Sequence, residues 1–220
     1  MIKAVIFDLD NTLYDYTTCD KHASEMLCNY ACDKYGISPE VFYQKYEQSK
    51  KSVKDKLGNV GASHNRILFM QNFLENLGKL PANGALDLYD VYWNDMLNNM
   101  KLFPYVEPLL DYLEQNSIKI ALLTDLTAHI QHRKIKALGL ENRIKILVTS
   151  EEAGEEKPSG IPFELIRQKL NVPAKEILMI GDNYDRDITG ALNAGMKALH
   201  FKKELADNMK DLVISNISST

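Results

Sequence analysis

A short apolar segment that ends in two carboxylates constrains the fold of this chain more than any other feature. Val5, Ile6 and Phe7 are followed by Asp8, and Asp10 comes two residues later. An apolar run of this length is typical of a strand buried on both faces of a parallel sheet. Because such a strand cannot bury an unpaired charge, we expect Asp8 where the strand emerges, at the edge where open α/β sheets bind ligands. The alternative is that Asp8 and Asp10 cap a helix or begin a turn.

The hydrophobic pattern divides the chain into two kinds of segment. Between residues 16 and 101 apolar residues recur at helical spacing, and no strand pattern occurs. Before and after that segment, strand-like runs alternate with helical patterns, which is typical of a doubly wound parallel sheet. The sequence therefore predicts an α/β fold with a Rossmann-like core (residues 1–15 and 102–220) and an inserted helical domain (residues 16–101). We expect the residues after Ile214 to be loose.

Polar residues end four of the predicted strands or occupy the loops that follow them. They are Asp8, Thr124, Lys157 and Asp182. Because the carboxyl ends of parallel strands share one edge of a sheet, residues far apart in sequence can converge there. A carboxylate can act as a nucleophile toward phosphorus, and a cation must then offset the repulsion between the two anions. Hard oxygen ligands favour Mg²⁺ for that task.

Four motifs around these residues resemble those of the haloacid dehalogenase-like (HAD) hydrolase superfamily. DLDNT at residues 8–12 resembles the first motif, and LLTD at residues 122–125 resembles the second. Lys157-Pro158 resembles the third motif, and GDNYDRD at residues 181–187 resembles the fourth. The motifs occur in the family's order. The resemblance implies a phosphatase whose helical cap is inserted between the first two motifs.

The resemblance also implies the roles of the first-motif acids. Asp8 would be the nucleophile that forms an aspartyl phosphate, and it would also bind the metal. Asp10 would protonate the leaving alcohol and then activate water, while its main-chain carbonyl contacts the metal. A halide leaving group needs no general acid, so Asp10 argues against a dehalogenase.

The later motifs supply substrate and metal contacts in this interpretation. Thr124 would offer its hydroxyl and N–H to a phosphate oxygen, and Lys157 would neutralise the nucleophile and the phosphoryl charge. Asp182 would hold Mg²⁺. Asp187 would be the supporting acid, acting on the metal through water or orienting Lys157. Asp185 competes for that role, but the family's spacing favours Asp187.

Asp125 departs from the family pattern, which commonly has Asn or another neutral residue after the threonine of the second motif. A carboxylate near a phosphate is unfavourable unless it points away or binds a polar part of the substrate. We place Asp125 among the substrate-binding candidates.

Several other polar residues have structural explanations that we favour. Cys28 and Cys32 share a helix face but lack histidine partners, so buried thiols are expected rather than a zinc site. His129 and His132 lie on a predicted surface helix. Lysines between residues 45 and 56 are expected to form a solvated helix face. The alternative is that Lys51 or Lys54 helps to hold an anionic substrate.

Composition excludes several other classes of protein. The formal net charge of −4 gives no indication of nucleic acid or an anionic membrane as partner. No apolar run approaches the roughly 20 residues of a membrane-spanning helix. Three cysteines give no even disulfide framework, so we expect a cytoplasmic protein.

The function predicted from the sequence is hydrolysis of a small phosphorylated metabolite, either a nucleoside monophosphate or a sugar phosphate, with Mg²⁺ as cofactor. The alternatives are a phosphomutase of the β-phosphoglucomutase type and a non-catalytic binding protein with the HAD fold. The oligomeric state is open.

Overall fold

The computed structural model describes residues 1–218 and divides into two compact units. One unit contains residues 1–16 together with the chain from residue 101 onward, and we call it the sheet unit. The other contains residues 17–100, and we call it the helical unit. Among residues 1–218, no helix is both long enough and apolar enough to cross a membrane.

Four helices account for most of the helical unit. They are α1 (Tyr16–Tyr35), α2 (Pro39–Leu57), α3 (Arg66–Asn76) and α4 (Ala85–Asn99). The bounds of α2 follow from its sequence, because the Ser38 side chain accepts a hydrogen bond from the Val41 N–H and Gly58 adopts a positive φ of 71° at its end. The rings of Phe42 and Phe73 meet at 5.4 Å and join α2 to α3.

A five-stranded parallel sheet forms the centre of the other unit. Its strands are β1 (Ala4–Phe7), β2 (Lys119–Thr124), β3 (Ile146–Thr149), β4 (Ile177–Gly181) and β5 (Lys197–His200). They lie in the order β3-β2-β1-β4-β5, so the first strand of the chain is the central one. Phe7 pairs with Leu122 of β2 on one side and with Ile180 of β4 on the other. This arrangement confirms the predicted doubly wound parallel sheet.

Helices flank the sheet, and short helical turns connect its elements. The helices are α5 (Val106–Gln115), α6 (Ala128–Ala137), α7 (Ser150–Ala153), α8 (Gly160–Leu170), α9 (Gly190–Asn193) and α10 (Met209–Ser218). Phe163 and Ile166 of α8 are buried in one core cluster with the sheet residues Ala121 and Val148. A π-helical segment, Tyr184–Thr189, precedes α9.

The expectation that the chain is loose after Ile214 is wrong for residues 215–218. These residues continue α10, because Val213 and Ile217 lie four positions apart and are both buried. Residues 219–220 of that expectation lie outside the described part of the chain.

Candidate active site

Backbone pairing places the first motif at the carboxyl edge of the sheet. Asp8 directly follows β1, and its N–H donates to the carbonyl of Ile180 in β4 (2.9 Å), so the ladder continues into the motif. Asp182 follows β4. The Thr12 hydroxyl accepts a hydrogen bond from the Asp182 N–H (3.0 Å) and donates to Oδ2 of Asp8 (3.3 Å). Thr12 therefore ties the first motif to the fourth.

Three carboxylates converge at this edge. Asp8, Asp182 and Asp187 each present one carboxylate oxygen, and the three oxygens all lie within 4.8 Å of one another. Asp8 and Asp187 are buried and Asp182 is half-buried. The predicted competitor, Asp185, is exposed and does not belong to this cluster.

Lys157 lies among the carboxylates with its side chain only 2% exposed. Its ammonium donates to Oδ1 of Asp8 (2.7 Å), to Oδ1 of Asp187 (2.6 Å) and to the carbonyl of Leu123 (3.1 Å). Burial opposes the charge on Lys157, but the carboxylates of Asp187 and Asp8 outweigh it and raise the pKa of the ammonium. Lys157 is therefore a fixed positive charge inside the cluster.

The carboxylates remain short of positive charge. Burial raises the pKa of Asp8 well above its ordinary value, although the charge of Lys157 acts in the opposite direction. Burial also raises the pKa of Asp182, and the negative charge of Asp187 adds to that shift. Three carboxylates facing one ammonium leave two negative charges uncompensated when all are ionised. A hard divalent cation fits this donor set, because carboxylate oxygens are its preferred ligands.

Asp187 owes its position to the close approach of a glycine. A Cβ built on Gly181 would lie 2.3 Å from Oδ2 of Asp187, so no side chain fits there. The Asn183 N–H donates to the same Oδ2 at 3.0 Å. The carboxylate is thus held from the backbone on one side and by Lys157 on the other.

Asp10 has different partners. Its side chain is 23% exposed, and Lys134 of α6 donates to both of its oxygens, at 2.7 and 2.6 Å. The Tyr14 hydroxyl donates to Oδ1 at 2.6 Å. Asp10 is therefore oriented by residues that the motifs do not include.

The second motif is also held by α6. Gln131 is fully buried, and its amide donates to Oγ1 of Thr124 and to the carbonyl of Asp125, each at 2.6 Å. The Asp125 carboxylate accepts from the Lys157 N–H (3.1 Å) and from Arg186 (3.2 Å). Both of its oxygens have protein donors, and a role for Asp125 in binding substrate stays a prediction.

The sequence interpretation missed several of these residues, Tyr14 among them. Gln131 and Lys134 are buried polar positions on a helix that was expected to lie at the surface, and Thr12 and Gly181 lie inside motifs without an assigned role. A sequence signal existed for Gln131 and Lys134. They are three residues apart, on the face that also buries Ile135.

The other candidates lie where they were expected, except that Cys32 is less buried than predicted. His129 and His132 are exposed, and so are Lys51 and Lys54. Cys28 is buried and Cys32 half-buried, with their sulfur atoms 3.9 Å apart. Burial raises the pKa of the Cys28 thiol to about 11.

Comparisons with known proteins agree with this geometry. Residues 2–195 match the family described as haloacid dehalogenase-like hydrolase. Ribulose-1,5-bisphosphate 5-phosphatase of Halopiger xanaduensis is 36% identical over 91% of this chain and 85% of that protein. Glyceraldehyde 3-phosphate phosphatase of Methanothermobacter thermautotrophicus is 29% identical over 98% of this chain and 92% of that protein. A solved structure, the 2-haloacid dehalogenase of Pseudomonas syringae pv. Tomato, has a TM-score of 0.74 and 25% identity, covering 91% of this chain and 86% of that one.

The family match and the parallel sheet together place this chain among hydrolases with an α/β fold. The chain belongs to the haloacid dehalogenase-like hydrolase family. This confirms the family and the enzyme class predicted from the four motifs.

Proposed function

We propose that this protein is a divalent-metal-dependent phosphatase that acts on a small sugar phosphate through an aspartyl phosphate on Asp8. The observation that carries the proposal is the meeting of Asp8 with Asp182 and Asp187 within 4.8 Å, with Lys157 bonded to two of the three. A nucleophilic carboxylate beside a cation site is the arrangement that phosphoryl transfer from a monoester requires.

The first chemical step belongs to the two acids of the first motif. A carboxylate oxygen of Asp8 attacks phosphorus, and the bond between phosphorus and the ester oxygen breaks. Asp10 gives its proton to that leaving oxygen, which departs as an alcohol. In the second step Asp10 takes a proton from water, whose oxygen attacks the phosphorus of the aspartyl phosphate. Inorganic phosphate leaves and the Asp8 carboxylate is restored.

Charge stabilisation falls to the groups around Asp8. Lys157 and the hydroxyl and N–H of Thr124 would bind the phosphoryl oxygens, where preorganised donors contribute most to the rate. Asp8, Asp182 and the main-chain carbonyl of Asp10 would hold Mg²⁺, with Asp187 supporting the site. When bound, Mg²⁺ would offset the negative charge of the carboxylates and of the phosphoryl group.

The named relatives favour a sugar phosphate over a nucleoside monophosphate. Ribulose-1,5-bisphosphate and glyceraldehyde 3-phosphate, which two relatives are named for, are both sugar phosphates. The helical unit would act as the cap, with exposed lysines such as Lys51 and Lys54 available to a second anionic group. We also propose a cytoplasmic location, because three cysteines give no even disulfide framework.

Phosphate release from p-nitrophenyl phosphate tests the reaction class. We expect turnover with Mg²⁺, none with EDTA, and none from Asp8→Asn. The same assay on ribulose-1,5-bisphosphate, glyceraldehyde 3-phosphate and nucleoside monophosphates then ranks the substrates. A protein that binds these esters and releases no phosphate would be a binding protein instead.

Two alternative reactions are tested in parallel. Release of chloride from 2-chloropropionate would indicate a dehalogenase, the activity that the structural neighbour is named for. We expect none, because a halide leaving group does not need the acid Asp10. Conversion of a sugar 1-phosphate to its 6-phosphate without loss of phosphate would indicate a mutase.

The role of Asp10 is tested by leaving-group basicity. Asp10→Asn should slow an alkyl phosphate more than p-nitrophenyl phosphate, whose leaving group needs little protonation. Equal losses on both esters would leave Asp10 with only a metal-side or structural role.

A further inference from the structure

A lysine of α6 lies completely buried beside the proposed general acid. The Lys134 side chain has 0% exposure, and its ammonium contacts both carboxylate oxygens of Asp10 at 2.6 and 2.7 Å. It also lies 5.2 Å from the centre of the Tyr16 ring and 6.0 Å from that of Tyr14. Lys134 is 124 residues from Asp10 in sequence and belongs to none of the four motifs.

The fold alone does not require a lysine at this position. Burying an ammonium costs several kcal/mol of desolvation, and an apolar side chain of similar length can fill the same volume without that cost. Neighbouring positions on α6 show the apolar solution, since Ile130 and Ile135 are buried there. A buried charge at Lys134 therefore points to a task carried out through its partner, Asp10.

That task is orientation. Two contacts from one ammonium fix the plane of the Asp10 carboxylate. The Tyr14 hydroxyl donates a third contact, to Oδ1 at 2.6 Å. A proton donor must lie within hydrogen-bond reach of the departing oxygen, and a displacement of about 1 Å costs on the order of 100-fold in rate. A half-exposed carboxylate without these contacts could rotate among several orientations.

We propose that Lys134 is a positioning residue that holds the carboxylate of Asp10 in the orientation needed to give a proton to the leaving oxygen and to take one from water, with Tyr14 as its assistant. This inference rests on the proposed phosphatase function. It adds a residue outside the motifs to the residues on which turnover depends. The alternative is that Lys134 binds the phosphoryl group directly, as Lys157 is proposed to do.

The test is a double-mutant cycle with Mg²⁺ and an alkyl phosphate such as β-glycerol phosphate. Lys134→Met keeps the length of the side chain and removes the charge. We expect its kcat to fall about 100-fold, while KM and the inhibition constant of inorganic phosphate stay within about threefold. In the Asp10→Asn background the same substitution should lower kcat by less than about threefold, because the carboxylate that it orients is already lost.

Lys136→Met is the matched control. Lys136 lies two residues further along α6 and is exposed, so its replacement should leave kcat and KM unchanged. Circular dichroism compares the folding of all variants. If Lys134→Met does not fold, Tyr14→Phe replaces it in the cycle, since it removes a single hydroxyl and keeps the ring. Its kcat should fall about tenfold, again with no further loss in Asp10→Asn.

The outcomes separate the two levels of the argument. An inactive wild-type protein refutes the proposed function itself. With an active wild type, equal losses from Lys134→Met in both backgrounds would assign the lysine a structural role and overturn the inference. A rise in KM and in the inhibition constant of phosphate would move Lys134 to the phosphoryl group, which overturns it as well. Wild-type kinetics in Lys134→Met would show that Asp10 needs no such support.

Discussion

Adding one methyl group at Gly181 should displace Asp187 and so disrupt the site. A Cβ at this position would lie 2.3, 2.4 and 2.5 Å from Oδ2, Cγ and Cβ of Asp187, whereas ordinary contact begins at 3.4 Å. The difference, 3.4 minus 2.4 Å for Cγ, requires a shift of about 1 Å in a buried side chain. Asp187 cannot make that shift and keep its bonds to Lys157 (2.6 Å) and to the Asn183 N–H (3.0 Å).

The expected loss follows from this displacement. Overpacking of a well-packed interior costs about 1–3 kcal/mol of unfolding free energy. A displacement of about 1 Å at a group that supports the site costs on the order of 100-fold in kcat/KM. Urea denaturation and turnover of p-nitrophenyl phosphate with Mg²⁺ measure the two effects on Gly181→Ala.

Gly160→Ala is the matched control. A Cβ at Gly160 meets nothing within 4 Å, and the residue begins α8 with no positive φ. The same methyl group should therefore preserve turnover and raise stability by up to about 1 kcal/mol. If Gly181→Ala keeps kcat/KM within twofold of the wild type while Gly160→Ala behaves as expected, the steric argument for Asp187 is refuted.

Three further perturbations probe charge, support and substrate contact. Because the folded protein raises the pKa of Asp8, it holds more protons than the unfolded chain above pH 3.8, so its stability falls as pH rises toward the folded pKa. Asp8→Asn removes this contribution to the pH dependence of stability. Its urea midpoints at pH 5 and pH 8, measured without divalent cation, should therefore differ less than those of the wild type. An equal difference would contradict the raised pKa of Asp8. Gln131→Leu removes the hydrogen bond that orients the Thr124 hydroxyl. It should raise the inhibition constant of phosphate about tenfold, as measured in competition kinetics, and an unchanged constant would make Gln131 only a packing residue. Lys54→Ala should raise KM for a sugar phosphate and leave KM for p-nitrophenyl phosphate unchanged. A KM that is unchanged for every substrate tested would show that Lys54 does not contact substrate.

The central sheet could be predicted because its signals are local. Apolar runs such as residues 4–7 and 177–181 are buried on both faces, and parallel strands must share a carboxyl edge. That rule alone predicts that Asp8 and Asp182 lie at the same edge of the sheet, although 173 residues separate them between positions 9 and 181. The motifs therefore carried most of the information about the site.

The supporting residues could not be predicted in the same way. Lys134 and Gln131 share a helix face with the buried Ile135, but that local pattern does not show which side chains of the motifs they contact. Asp125 illustrates the same limit, because its partner Arg186 is 61 residues away. The segment Tyr184–Thr189 was not assigned as π-helical for a related reason, since local sequence does not distinguish that geometry from an ordinary helix start.

The chain leaves the sheet unit for the helical unit and later returns to it, and the segments before and after the insertion pair with each other. Tyr14 forms an antiparallel bridge with Leu102, and the Phe103 N–H donates to the carbonyl of Leu13 at 2.9 Å. The two segments that flank the insertion are thus hydrogen-bonded to each other before α1 begins. An insertion whose two ends are already joined closes no new loop in its host, so its loss or exchange carries little entropic cost for the sheet. Replacement of the whole helical segment should therefore leave the pairing of the sheet and the positions of its carboxylates intact.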